Sequence, residues 1–75
     1  MGKHKGDIEM GHRAYEEAVR VFGGTTKAAR IMGFERRILY SWKNDGATPG
    51  GYALAAMHYH GCDVLYILTG KRQKT

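Results

Sequence analysis

Residues Thr25 to Asn44 read TTKAARIMGFERRILYSWKN. Two short apolar patterns flank Gly33. The first predicts a helix over Thr26 to Met32 that buries Ala28, Ala29 and Met32, with Thr25 as its N-cap. The second predicts a helix over Glu35 to Lys43. At about 100° per residue, Ile38, Leu39 and Trp42 share one side of it. Arg37, Tyr40 and Asn44 lie opposite, with Arg36 and Ser41 on the flanks. Gly33 can take the left-handed backbone that a tight inter-helix turn requires, and Phe34 packs beside it. Ala29, Gly33, Leu39 and Trp42 thus supply a small residue, a turn residue and two core anchors, which is what two helices crossing steeply need. The expected motif is a helix-turn-helix.

Working outward, Asp7 to about Phe22 predicts helix 1, capped by Asp7 and ended by Gly23-Gly24. Ile8, Gly11, Tyr15, Ala18 and Phe22 form its expected buried stripe. Asn44-Asp45-Gly46 is a stop signal, and Pro49 starts a turn or the next helix. Helix 4 is expected over Gly51 to Tyr59, closed by Gly61, and its alanines favour close packing. Helix 5 is expected from Asp63 to about Thr69, with Gly70 at its end. Val64 to Leu68 has the composition of a strand, but its brackets, Asp63 and Gly70, are those of a short helix. The expected fold class is all-α, a compact five-helix bundle. It divides into a basic arm (residues 1–6), one domain (7–70) and a basic tail (71–75).

The chain has 75 residues, enough for one domain with a small core. Its single cysteine, Cys62, excludes an internal disulfide and suits a reducing compartment. No apolar run approaches membrane-spanning length, and MGKHKGDIEMGHR lacks the apolar centre of a signal peptide. A soluble cytoplasmic protein is expected. The net charge is +5, unevenly spread. Lys27, Arg30, Arg36, Arg37 and Lys43 against Glu35 give residues 25–44 a charge of +4. Lys3 and Lys5, then Lys71, Arg72 and Lys74, make both ends basic, while the segments between are acidic. Basic charge concentrated on the motif points to a polyanionic partner.

Pro49, Tyr52, Leu54 and Gly61, followed by Asp63-Val64-Leu65-Tyr66-Ile67-Leu68-Thr69-Gly70-Lys71, resemble the helix 4 and helix 5 signature of phage CI-type repressor DNA-binding domains. With the motif in register, about residues 7 to 71 resemble the phage repressor and Cro-like helix-turn-helix family. The resemblance implies a lambda-repressor-like, all-α domain that binds operator DNA, usually as a dimer, in a bacterial or phage-infected cell. Glu35 stands where Ser or Thr is usual in that family. It suits the positive end of a helix, would be repelled by a phosphate, and could accept from a cytosine amino group. The chain shows no second domain, so the resemblance implies either a stand-alone Cro-like protein or an excised domain.

The expected chemistry divides into positioning and reading. Thr26 and Lys27 at the start of helix 2, with Lys43 and Asn44 at the end of helix 3, are expected on phosphates. Arg36 and Arg37 can pair with guanine edges, Tyr40 with a thymine methyl, and Ser41 with either donor or acceptor. Lys3, His4 and Lys5 could add a minor-groove or backbone contact. One such domain contacts only a few base pairs, so two copies on a palindromic operator are expected. Leu65, Tyr66 and Leu68 on helix 5 are the candidate homodimer surface, because successive apolar residues cannot all be buried by one short edge helix.

Blander readings exist for each feature. Solvated charge is the usual fate of an arginine pair, but the place of Arg36 and Arg37 in the motif favours DNA contact; Lys3 and Lys5 read more readily as a disordered terminus than as a working arm. His58, His60 and Cys62 do not converge on a helix as metal ligands, so no metal and no cofactor are expected. No phosphate loop or paired carboxylates suggest an enzyme or a small-molecule substrate. The rival class is a small protein-binding helical module, antirepressor or antitoxin-like, that does not bind DNA.

Overall fold

Helix α1 runs Lys5–Phe22, α2 Thr25–Met32, α3 Arg36–Asn44, α4 Gly51–Tyr59 and α5 Val64–Thr69. They are seen in a computed structural model that describes the backbone of residues 5–72 and the side chains from Glu9 onward. Every regular element among these residues is helical. The long α1 is the central post: α2, α3 and α5 all pack on it, α2 also touches α3 and α4, and α4 touches α5. No described helix is long and apolar enough to cross a membrane.

The core is built from small residues around a few large ones. Ala14, Ala18, Ala28, Ala29 and Ala53 are buried beside Phe22, Met32, Leu39, Trp42, Met57, Cys62 and Ile67. Alanine at these positions lets helix backbones approach, and the larger side chains then fill the remaining space at native density. Burial raises the pKa of the Cys62 thiol to about 11, so it behaves as a small apolar residue.

Helix α3 runs one residue past the expected Lys43, to Asn44, and four of the expected helix starts differ, each for a local reason. Helix α1 begins at Lys5, so Asp7 lies inside it and does not cap it. The single Gly6 costs a helix only about 1 kcal/mol, too little to hold the start at Asp7. Lys5 and Gly6 are therefore helical rather than part of an arm, and Lys3 and His4 lie outside the described residues. Thr25 is the first helical residue of α2 and not its N-cap; that position is Gly24. The two glycines before it already reverse the chain, with φ of 93° at Gly23 and 140° at Gly24. Glu35 is the extended N-cap residue of α3, and its carboxylate makes no capping bond. Asp63 is the N-cap of α5 and not its first residue, and its Oδ1 accepts from Tyr66 N–H at 3.0 Å.

The α2–α3 connection follows the sequence reading. Gly33 sits in the left-handed region, with φ 79° and ψ 26°. Phe34 N–H donates to the Ala29 carbonyl at 2.8 Å, and Gly33 N–H to that of Arg30 at 3.2 Å. These bonds satisfy the last carbonyls of α2 and turn the chain into α3. Phe34 is wedged edge-on between Trp42 and Tyr52, with centroid distances of 6.3 and 5.8 Å.

Candidate nucleic-acid interface

Leu39 and Trp42 are the residues of α3 that are fully covered, and they fix which way the helix faces. Arg36, Arg37, Tyr40, Lys43 and Asn44 lie on the opposite side at spacings of three and four, and all are exposed. Ile38, expected in the core with Leu39 and Trp42, stands at 38% exposure, on the border of the buried stripe. Ser41 is half-buried and its Oγ donates to the Ile38 carbonyl at 2.6 Å, which occupies its hydrogen within the helix. Thr26 and Lys27 are exposed in the first turn of α2, and Arg30 is exposed in its last.

Charge on this surface is nearly one-signed. The outward side of α2 and α3 carries Lys27, Arg30, Arg36, Arg37 and Lys43. Two exposed acids flank α3, Glu35 before it and Asp45 after it, and Glu35 accepts from Arg37 Nε at 2.7 Å. Both side chains are more than 70% exposed, so the pair is worth at most about 1 kcal/mol and is readily exchanged for another partner. The first turn of α2 has no side-chain cap.

Tyr15 belongs to this surface, although its phase on α1 suggested core. Ala14, Ala18 and Phe22 form the buried stripe with Gly11, and Tyr15 lies half-buried at its edge. Its hydroxyl shares a hydrogen bond of 2.7 Å with Thr25 Oγ1. Its ring lies 5.9 Å from that of Tyr40, and Lys43 Nζ sits 5.2 Å from the ring centroid. The sequence held one signal for this placement: a phenol at the edge of a helical stripe needs a polar partner for its hydroxyl. Ile8, the other expected member of that stripe, lies outside the described side chains.

The expected basic tail is partly drawn into the fold. Glu17, one of the most buried side chains, receives Arg72 Nη2 at 2.9 Å, Asp63 N–H at 2.8 Å and Arg20 Nε at 3.3 Å. Arg72 Nη1 also reaches Asp63 Oδ2 at 3.4 Å, and its guanidinium stacks 4.0 Å over the Tyr66 ring. Arg72 is thus a structural cation. On α5, Leu65 and Leu68 are 49% and 46% exposed, while Tyr66 is half-buried beneath Arg72. His60 rests edge-on against Phe22, and among the described residues no three His, Cys, Asp or Glu side chains gather as metal ligands.

No protein-family model, curated protein or solved structure matches the chain.

Proposed function

We propose that this chain is a sequence-specific double-stranded DNA-binding regulator of the phage repressor and Cro-like class. In this reading α2 and α3 act as a helix-turn-helix, and α3 enters the major groove. The observation that carries the reading is the outer face of α3: Arg36, Arg37, Tyr40, Lys43 and Asn44, exposed opposite the buried Leu39 and Trp42. A basic helix face held clear of its own domain suits a groove lined with phosphates and guanine acceptors. Arg37 exchanges Glu35 for a guanine edge. Arg36 takes a second base or a phosphate, and Tyr40 presents its ring to a thymine methyl. Lys27, Thr26, Lys43 and Asn44 set the register on the backbone. Two copies, joined through Leu65, Leu68 and part of Tyr66, read the two halves of a palindrome in the cytoplasm of a bacterial or infected cell.

The test compares two alanine variants on duplexes selected from random DNA. Arg37→Ala should weaken the selected site by about 1–3 kcal/mol and relax preference at one base position. Lys27→Ala should weaken all sequences alike and lower the salt slope by about one. Equal, sequence-blind losses would remove Arg37 as a reader. Salt-independent retention on random DNA would instead favour the protein-binding module.

A further inference from the structure

We propose that Tyr15 is a positioning residue of the DNA-contacting surface, a role that rests on the DNA-binding reading above. One side chain of α1 touches both parts of that surface. Its hydroxyl is bonded to Thr25 at the first residue of α2, and its ring backs Tyr40 and Lys43 on α3. A lysine stem has many rotamers, and a phosphate contact must overcome that freedom. An ammonium already seated over an aromatic face keeps its charge exposed while losing much of the wandering of its stem. Lys43 is exposed, so Tyr15 holds the charge without hiding it. The tilt of 34° between the Tyr15 and Tyr40 rings likewise limits how Tyr40 meets a base edge. Tyr15 therefore makes Lys43 and Tyr40 respond together with the leading turn of α2, the segment that carries Thr26 and Lys27.

The experiment uses the full chain, a selected duplex and a salt titration. Tyr15→Leu removes the ring, Tyr15→Phe keeps it, and Lys43→Met removes the charge. Tyr15→Leu should weaken binding about threefold to tenfold and lower the salt slope by about one, as Lys43→Met does. Placed on Tyr15→Leu, Lys43→Met should add little, because the two act as a unit. Tyr15→Phe should restore the slope. Independent, multiplying losses, or failure of Tyr15→Phe to restore the slope, would reduce Tyr15 to a packing residue and overturn the proposal while leaving DNA binding intact. A parent chain with no salt-dependent affinity for any duplex would overturn both. A measurement on the unaltered protein covers the case in which Tyr15→Leu does not fold. The side-chain methylene protons of Lys43 should be shifted upfield of those of Lys27 by the Tyr15 ring, and coincident shifts would also overturn the proposal.

Discussion

Gly11 faces the backbone of the α3–α4 connection. A methyl group there would collide with the carbonyl oxygen of Ala47 and stand 2.8 Å from that of Trp42. Gly11 was read from the sequence only as a member of a stripe; its contact partner, 36 residues away, leaves no local trace. Gly11→Ala gains about 1 kcal/mol in helix propensity. Against that, overpacking onto backbone atoms that cannot rotate aside costs about 1–3 kcal/mol or more. The clash should win, and urea unfolding should show a net loss. Gly51→Ala is the control: it lies in α4 with open space around it and should be neutral or stabilising by up to about 1 kcal/mol. A stabilised Gly11→Ala would mean that α1 and the connection are not in contact.

Punctuation made the elements legible. Gly33, Pro49, Gly61, Asp63 and Gly70 mark ends that depend on φ or on a cap, and α4 begins and ends where the sequence places it. The starts of α1 and α2 were less legible, because a glycine pair or a single glycine does not say which neighbour becomes helical. Helix α5 shows the limit of what an element can do alone. Six residues bury Ile67 and leave Leu65 and Leu68 in solvent. Its last turn is held from α1, where Arg13 Nε donates to the carbonyls of Tyr66 and Ile67 at 3.1 and 3.0 Å. If the chain binds an operator as proposed, through two copies joined at Leu65 and Leu68, the double change Leu65→Glu and Leu68→Glu should give a folded monomer with weakened affinity for it. Sedimentation of the parent at tens of micromolar, with and without DNA, decides it; a parent monomeric in both sinks the dimer helix.

At the scale of the molecule, Glu17 ties distant parts together. Burial alone would raise its pKa, but the hydrogen bonds from Arg20, Arg72 and Asp63 N–H outweigh it and lower the pKa from 4.5 to about 2. The native state therefore holds fewer protons at Glu17 than the unfolded chain. That contribution, on the order of 3 kcal/mol, is fully present above pH about 4.5 and is lost as pH falls towards about 2. Urea midpoints measured across this interval should fall, and Glu17→Gln should flatten most of the fall while lowering stability at neutral pH. An unchanged acid limb in Glu17→Gln would assign it to other carboxylates. The adjacent Glu16 and Glu17 both read as surface on a helix, and the partners of Glu17 at 63 and 72 follow no period, so this cluster was not legible. The α3 face was, because Leu39 and Trp42 set its phase.

The same carboxylate makes the fold cooperative over its whole length. Arg20 lies one turn from Glu17 within α1, whereas Asp63 and Arg72 are 46 and 55 residues further along the chain. Until they dock, burying Glu17 would leave a charge with one partner instead of three, a strong penalty in a core this small. Closing the core around α1 and docking the segment from Asp63 to Arg72 are therefore one event. Removing residues 63–72 should accordingly loosen the whole bundle rather than trim one helix from it.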